Sequence, residues 1–202
     1  MKIIFAGGGT GGHLMAGLSI AQEISSRFPD TRVIFFGTDR NKESRYIEES
    51  NYEFKPIMAC KPTSFIRLPL FAFASLIGII HSLINLFIIK PDIIIGLGGY
   101  GSALPVVAAY IIGIPIVLIE PNVIPGRANL KMERWADAVI CHWESSKKRF
   151  KKGEVAVTGV PIRSGILENQ TEVDNNPFGL DSQKKTLLIM GGSQGAQIGR
   201  AS

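Results

Sequence analysis

Hydrophobic residues along the chain fall into short continuous runs, most of which end at or near glycine. Runs of this kind cover 2–6, 31–36, 93–95, 114–119, 138–141, 155–158 and 186–190. Because continuous apolar runs are typical of strands buried on both faces, they predict a parallel sheet. The first run starts at the N-terminus and is too short for the apolar core of a signal peptide, so we expect a protein that is not secreted.

Helix-length segments separate these runs. Segment 12–27 has apolar residues close to a 3.6-residue period, and segment 101–112 is small and apolar, which predicts a buried helix. Alternation of strands and helices predicts an α/β fold with a Rossmann-like, doubly wound parallel sheet.

A third segment, 68–89, has 22 residues without Asp, Glu, Lys or Arg, which is the length of a membrane-spanning helix. Its small or polar residues form one helical stripe: Ser75, Gly78, Ser82 and Asn85. Basic residues flank it: Lys61, Arg67 and Lys90. Three interpretations stay open, namely a helix on the sheet that also contacts a membrane, a buried helix, and a span. The stripe and the basic flanks favour a helix that contacts a membrane surface through 62–90. A span is disfavoured because it would separate neighbouring strands of one sheet.

The composition changes near residue 162. Residues 1–161 have the pattern of one domain, and 162–185 are rich in Asn, Gln, Asp and Glu, as expected of a linker. Residues 186–202 begin a new strand and glycine turn, too little to bury a core alone. We therefore expect the first βα fragment of a truncated second domain.

Charge and cysteine content narrow the classes further. The chain of 202 residues has 22 Lys and Arg against 17 Asp and Glu, a net charge of +5, which points to an anionic partner such as phosphate, lipid or nucleic acid. A hydrophobic content of 46% excludes a disordered chain. Its two cysteines, Cys60 and Cys141, are too few for a disulfide framework and match no zinc-binding spacing. They predict that the protein is located in the reducing cytosol.

Glycine-rich turns follow three predicted strands. Residues 7–13 read Gly-Gly-Gly-Thr-Gly-Gly-His between a strand and a helix, the context of a phosphate-binding loop, although a structural tight turn has the same pattern. The turn lacks the Gly-Lys-Ser/Thr of nucleotide-binding P-loops and the dinucleotide fingerprint. With the turns at 96–101 and 191–196, it predicts a polar crevice at the carboxyl edge of the sheet.

Six motifs occur in one order along the chain: Gly9-Thr10-Gly11-Gly12-His13, Gly96-Leu97-Gly98-Gly99-Tyr100, Gly113-Ile114-Pro115, Glu120-x-Asn122, Gly159-x-Pro161-x-Arg163 and Gly191-Gly192-Ser193-Gln194-Gly195-Ala196. Together they resemble the MurG family of bacterial peptidoglycan glycosyltransferases, of glycosyltransferase family 28 type. The resemblance covers essentially the whole chain but only about the first half of the usual family chain.

The resemblance implies a GT-B fold of two Rossmann-like domains, here the N-terminal, acceptor-binding domain and the first fragment of the donor-binding domain. The implied reaction moves GlcNAc from UDP-GlcNAc to the muramoyl 4-hydroxyl of lipid I (undecaprenyl-diphospho-MurNAc-pentapeptide), with inversion and without metal or cofactor. It implies a peripheral protein on the cytoplasmic face of the bacterial inner membrane, active in cell wall synthesis, cell shape and division. Other cell-wall synthesis proteins are possible partners and nucleic acid is not one.

The resemblance also suggests site residues. Amides at Thr10, Gly11 and Gly12 suit the acceptor diphosphate. His13 is the candidate general base, with a pKa lowered by the helix N-terminus, although a structural cap is the alternative. The remaining substrate-binding candidates are Tyr100, Glu120, Asn122, Asn129, Arg163 and Ser193. Among them Glu120 and Asn122 are expected to bind sugar hydroxyls, Arg163 to offset phosphate charge, Ser193 to contact the donor, and Tyr100 to stack or hydrogen-bond in the cleft.

The chain departs from the family pattern at two positions of the Ile119-Glu120-Pro121-Asn122 motif, where the family commonly has His and Gln, and at Val160, where it has Asn. The helix before Pro91 is nearly uncharged, whereas the family's usually carries basic residues. Two other functions stay open: a non-catalytic, membrane-recruiting half of a split GT-B enzyme, and a GT-B enzyme acting on other lipids or natural products. We expect little transfer activity from the 202-residue chain itself.

Overall fold

The structure, a computed structural model, describes residues 1–8, 11–38, 43–58, 68–162, 179–181 and 183–187. The chain divides into two compact units, Met1–Ile162 and Arg163–Ser202. The described residues of the second unit contain neither helix nor strand, and most of the strand predicted at 186–190 lies outside them. The division into a domain at 1–161, a linker at 162–185 and a second domain from 186 stays a prediction.

The described part of the first unit contains seven strands, six α-helices and one short 3₁₀ helix, Glu133–Trp135. The strands are β1 (Lys2–Gly7), β2 (Arg32–Gly37), β3 (Glu53–Pro56), β4 (Ile93–Gly98), β5 (Ile116–Glu120), β6 (Ala138–Cys141) and β7 (Glu154–Val157). The helices are α1 (Gly11–Arg27), α2 (Glu43–Glu49), α3 (Leu68–Ile89), α4 (Tyr100–Ile111), α5 (Arg127–Met132) and α6 (Glu144–Lys147). All strands pair in parallel, in the order β3-β2-β1-β4-β5-β6-β7. The predicted α/β fold with a parallel sheet is confirmed.

The core has one apolar layer on each face of the sheet. On one face the rings of Phe5 and Phe35 stack with their centroids 5.0 Å apart, and Leu14 and Leu18 of α1 pack over them. The opposite layer contains residues of α3, α4 and α5, together with Phe150, which follows α6. Helix α1 therefore lies on one face, and its first turn reaches the carboxyl ends of the central strands.

Helix α3 packs against α4 through the predicted stripe. Ser82 is fully buried and donates a hydrogen bond to the carbonyl oxygen of Gly78 at 2.8 Å. Gly78 itself lies against the backbone of Met58 and the side chain of Leu104 in α4. The opposite side of α3 is an exposed apolar face formed by Phe73, Leu76, Ile77, Ile80, Ile84, Phe87 and Ile88. Within the described part of the chain, Phe71–Ile89 is the one helix whose length and mean hydropathy of 2.2 would allow a membrane crossing.

Candidate active site

The carboxyl ends of β1 and β4 meet at two glycines with left-handed backbone. Gly7 has a φ of +105° and Gly98 a φ of +89°. A Cβ atom on Gly7 would lie 2.6 Å from the carbonyl oxygen of Gly98, far inside van der Waals contact. Only glycine meets both the conformation and the space at Gly7, and the positive φ favours glycine at Gly98 as well. The two strand ends thus form a tight backbone wall below the first turn of α1.

His13 lies on that first turn and is half-buried. Its Nε2 atom is 3.4 Å from Nδ2 of Asn122, which follows β5. The amide can donate only to an unprotonated nitrogen, so this contact favours the tautomer with its proton on Nδ1. Burial lowers the pKa of His13, and the charge of Glu120 opposes that shift. The lowered pKa of His13 is therefore caused mainly by burial, whereas the sequence suggested the helix N-terminus as the cause. The imidazole is neutral near pH 7.

Glu120, the last residue of β5, is a fully buried carboxylate surrounded by donors. Its Oε1 accepts hydrogen bonds from the backbone N–H and the side-chain amide of Asn122, at 2.9 and 2.8 Å. Its Oε2 accepts from the backbone N–H of Gly126 at 2.9 Å and from Nδ2 of Asn129 at 3.0 Å. Hydrogen bonds to a charged acceptor are the stronger kind, so this carboxylate fixes the loop 121–126.

Asn129 joins the same cluster from α5. Its Nδ2 also donates to the carbonyl oxygen of Ile119 at 2.9 Å, and its buried Oδ1 finds no partner among the described residues. A Cβ atom on Gly98 would lie 3.1 Å from Nδ2 of Asn129 and 3.3 Å from Cδ2 of His13. The bare backbone of Gly98 therefore lets the two side chains approach. We call His13, Glu120, Asn122 and Asn129 the polar cluster.

The other predicted site residues are placed differently. Gly11 and Gly12 form the start of α1, where Gly12 is exposed. Tyr100, at the start of α4, is half-buried and packs edge-on against Phe71, with ring centroids 5.9 Å apart. Three candidates lie outside the described residues: Thr10, Arg163 and Ser193.

Two residues after β6 were not predicted from the sequence. His142 is 4% exposed, and its Nδ1 finds no partner among the described residues. Burial lowers its pKa, the charge of Glu120 raises it, and His13 lowers it again. Trp143 is 44% exposed and donates its indole N–H to the carbonyl oxygen of Pro121 at 3.0 Å. Their position directly after a buried parallel strand was the available signal, since ligand sites gather there.

An open pocket of about 340 Å³ lies beside these residues, on the α1 face of the sheet. Aliphatic side chains of α1, β4, β5 and β6 form most of its wall, and one of them is Ile119, the residue at which the family commonly has His. His142 and the stretch 158–161 complete the wall. The replacement at 119 thus makes the sheet side of the pocket aliphatic.

The described residues offer few candidate ligands for a metal ion. No group of three or more His, Cys, Asp and Glu side chains there is arranged to hold a metal ion. Cys141 is a free, buried thiol whose pKa is raised by burial, and Cys60 lies outside those ranges.

Comparison with known proteins gives one family. The profile of the glycosyltransferase family 28 N-terminal domain matches residues 3–141. A UDP-N-acetylglucosamine–N-acetylmuramyl-(pentapeptide) pyrophosphoryl-undecaprenol N-acetylglucosamine transferase from Thermodesulfovibrio yellowstonii is 36% identical over 98% of this chain and 54% of the relative. The transferase of the same name from Bacillus subtilis is 34% identical over 97% of this chain and 54% of its own length. The chain thus spans about half the length of the curated relatives it matches.

Solved structures agree on the fold. The crystal structure of Acinetobacter baumannii MurG superposes with a TM-score of 0.68 at 23% identity, covering 80% of this chain and 46% of that one. UDP-GlcNAc 2-epimerase from Neisseria meningitidis superposes with a TM-score of 0.58 at 18% identity, over 79% of this chain and 46% of the epimerase. At such identities the likeness shows the fold alone, which is the expected GT-B N-terminal domain. With the family profile covering most of the first unit, the chain belongs to glycosyltransferase family 28.

Proposed function

We propose that this chain supplies the acceptor-binding domain and catalytic base of a transferase that moves GlcNAc from UDP-GlcNAc to lipid I in peptidoglycan synthesis. The observation that carries the proposal is the polar cluster, in which an imidazole kept neutral by burial lies 3.4 Å from the amide of Asn122 at the carboxyl edge of the sheet. The relatives, at 33–37% identity, are named for this reaction.

His13 acts as general base in this proposal. The muramoyl 4-hydroxyl takes the place of the Asn122 amide at Nε2 of His13 and loses its proton to that nitrogen as its oxygen attacks C1 of GlcNAc. The new bond joins C1 to that oxygen, the bond from C1 to the diphosphate oxygen breaks, and UDP leaves with the electron pair. Attack from the face opposite UDP inverts the configuration at C1. Before the substrate binds, the contact with Asn122 favours the tautomer whose Nε2 carries no proton, which is the form that this step needs.

Binding of the diphosphate is assigned to the start of α1. The backbone N–H groups at Gly11 and Gly12 have no partner within the first helical turn, and the helix dipole favours an anion there. Thr10 and Tyr100 are proposed to contact the same ligand. The donor-binding roles of Arg163 and Ser193, and of a second domain beginning near residue 186, rest on the family resemblance.

Glu120 and Asn129 serve best as positioning residues. Both oxygens of Glu120 are already bound by internal donors, and Asn129 is buried behind it. Besides His13, exposed Asn122 is the member of the cluster that can reach a sugar hydroxyl. Glu120 therefore acts on the ligand through the orientation of Asn122.

The exposed apolar face of α3 is proposed to lie on the cytoplasmic surface of the bacterial inner membrane, where a lipid-linked acceptor is found. Phe73 and Phe87 on this face are 62% and 61% exposed. A contiguous apolar face of this kind is typical of a membrane or partner surface, and burial in the acyl boundary would remove it from water.

Acceptor binding tests the proposal. The 202-residue chain is titrated with a lipid I analogue that has a short polyprenyl chain, and polyprenyl phosphate of the same length is the ligand control. We expect saturable binding of the analogue only. Asn122→Asp places a second carboxylate against Glu120 and should abolish this binding, whereas Asn51→Asp, in the turn before β3, should not change it. Equal binding of both ligands, or of both variants, would contradict the proposal.

A further inference from the structure

Trp143 is a rigid aromatic residue at the rim of the polar cluster. Its indole N–H is held by the carbonyl oxygen of Pro121 at 3.0 Å. Its own carbonyl oxygen accepts from the hydroxyl of Ser146 at 2.7 Å and from the backbone N–H groups of Ser146 and Lys147 at 3.1 and 3.3 Å. The side chain nevertheless stays 44% exposed. An indole that is held by its N–H, on a backbone that is held by the first turn of α6, has its one polar group satisfied and offers a ligand only its apolar ring face.

The position of the indole relates it to the reacting groups. Its partner Pro121 directly precedes Asn122, whose amide lies 3.4 Å from Nε2 of His13. His142, the residue before Trp143, is buried. It lies close enough to Glu120 and His13 for the charges of these two residues to shift the pKa of His142. Other exposed apolar residues follow the neighbouring strands: Val123, Ile124 and Val160. The rim beside the cluster is thus apolar, with one aromatic ring held in place.

We propose that the indole face of Trp143 is a platform on which the pyranose ring of an N-acetylhexosamine packs, which makes Trp143 a residue that determines sugar binding. This inference rests on the proposed function. The C–H groups on one face of a pyranose form the main apolar surface of an otherwise polar ligand, and an aromatic ring matches it. Because the indole is already ordered, little side-chain freedom is lost on binding. The ring belongs to the muramoyl acceptor or to the GlcNAc of the donor, which share this chemistry.

A structural role makes a different prediction. If Trp143 only ties down the loop 121–126, its N–H is the important group, and Trp143→Phe and Trp143→Ala should weaken sugar binding equally. If the ring face is the binding surface, Trp143→Phe keeps most of the affinity, and Trp143→Ala weakens binding about fivefold or more. Phe28, an exposed aromatic residue after α1, supplies the matched control Phe28→Ala, which should bind as the unmodified chain does.

The experiment uses the 202-residue chain with Trp135→Phe. The chain has two tryptophans, so this substitution leaves Trp143 as the only one. Fluorescence is recorded during separate titrations with the short-chain lipid I analogue and with UDP-GlcNAc, and equilibrium dialysis measures binding independently. We expect a saturable fluorescence change with at least one probe, and which probe causes it identifies the sugar. Dialysis then compares the Phe and Ala variants at 143 with that probe.

Each outcome decides between the two levels of inference. Binding seen by dialysis without a fluorescence change, or equal losses for the Phe and Ala variants, overturns the platform and leaves the proposed function standing. No binding of the lipid I analogue by dialysis overturns the proposed function, and no binding of either probe overturns both. Retained affinity in Trp143→Phe with a loss in Trp143→Ala supports the platform.

Discussion

Two surfaces of the first unit differ in what they leave for a ligand. At the carboxyl edge of the sheet, Glu120 accepts four internal hydrogen bonds, so the polar groups around it are already oriented before any ligand arrives. On the outer side of α3, the exposed residues are apolar over several turns and have no polar group to orient. The first surface suits a sugar diphosphate and the second suits hydrocarbon. An amphiphilic acceptor such as lipid I has both parts, so the contrast agrees with the proposed substrate.

The sharpest test of the polar surface is removal of its base. In the chain joined to the second half of a family relative, such as the Bacillus subtilis enzyme, His13→Ala should lower kcat by roughly 10²–10⁴ because the general base is lost. The free energy of unfolding should change little, since His13 is only half-buried. GlcNAc transfer to lipid I and urea unfolding measure the two quantities. A kcat close to that of the parent would mean that His13 has a structural role only.

Removal of the buried carboxylate should affect stability as well as binding. Glu120→Ala leaves the N–H groups of Asn122, Gly126 and Asn129 without their acceptor, so the free energy of unfolding should fall by about 3 kcal/mol. The matched control is Glu53→Ala, which removes a partly exposed carboxylate paired with Arg32 and Lys55 and should cost at most ~1 kcal/mol. Urea unfolding gives both values. If both variants lose a similar free energy of unfolding, the hydrogen bonds of Glu120 contribute no more to stability than an exposed ion pair does.

The apolar surface is tested by placing charges on it. Ile80→Glu with Phe87→Glu should abolish binding to liposomes of anionic bacterial lipids, measured by co-sedimentation, because two carboxylates cannot enter the acyl boundary without cost. The control, Phe28→Glu with Tyr46→Glu, charges exposed aromatic residues elsewhere. Binding of the parent should persist at high salt, since screening weakens only electrostatic attraction. Full release at high salt, or unchanged binding by the folded double variant at 80 and 87, would contradict the apolar mechanism.

The smallest expected effect is the pH dependence of stability near the cluster. Burial lowers the pKa values of His13 and His142 in the folded chain, so below pH ~6.5 the unfolded chain binds more protons than the folded one. Stability should therefore fall as pH drops from about 6.5 toward the lowered values, by at most about 1.4 kcal/mol per pH unit for each histidine. His142→Gln removes one of the two contributions. Urea unfolding at several pH values should show a shallower slope for this variant, and equal slopes would mean that burial of His142 has no such consequence.

Most of the sheet was predictable because the signal is local. Strands β1, β2, β4, β5 and β6 contain continuous apolar runs, and the observed bounds differ from the predicted ones by a few residues at most. Strand β3, Glu53–Pro56, was missed because an edge strand of four residues with charged side chains has no such run. The short helices α2, α5 and α6 were missed as well, since four to seven residues give no clear helical period.

The site divides in the same way. The glycine motif at 7–13 predicted that His13 lies at the start of a helix. The apolar run at 114–119 predicted that Glu120 and Asn122 follow the end of a strand. Both predictions need only the local sequence. The burial of Glu120 was not predictable, since it depends on the N–H of Gly126 and the amide of Asn129 folding back onto the strand end. Trp143 was missed for a related reason, because its contact joins two loops that are far apart in sequence.

The backbone wall formed by Gly7 and Gly98 has a consequence for inhibition. Any other residue at Gly7 would have to adopt a strained φ and overlap the carbonyl oxygen of Gly98, and a side chain at Gly98 would press on Asn129 and His13. The chain therefore has no inexpensive way to remodel this part of the site. A compound that takes its affinity from this wall would leave few escape substitutions, whereas one that depends on the exposed loop 121–126 would meet resistance sooner.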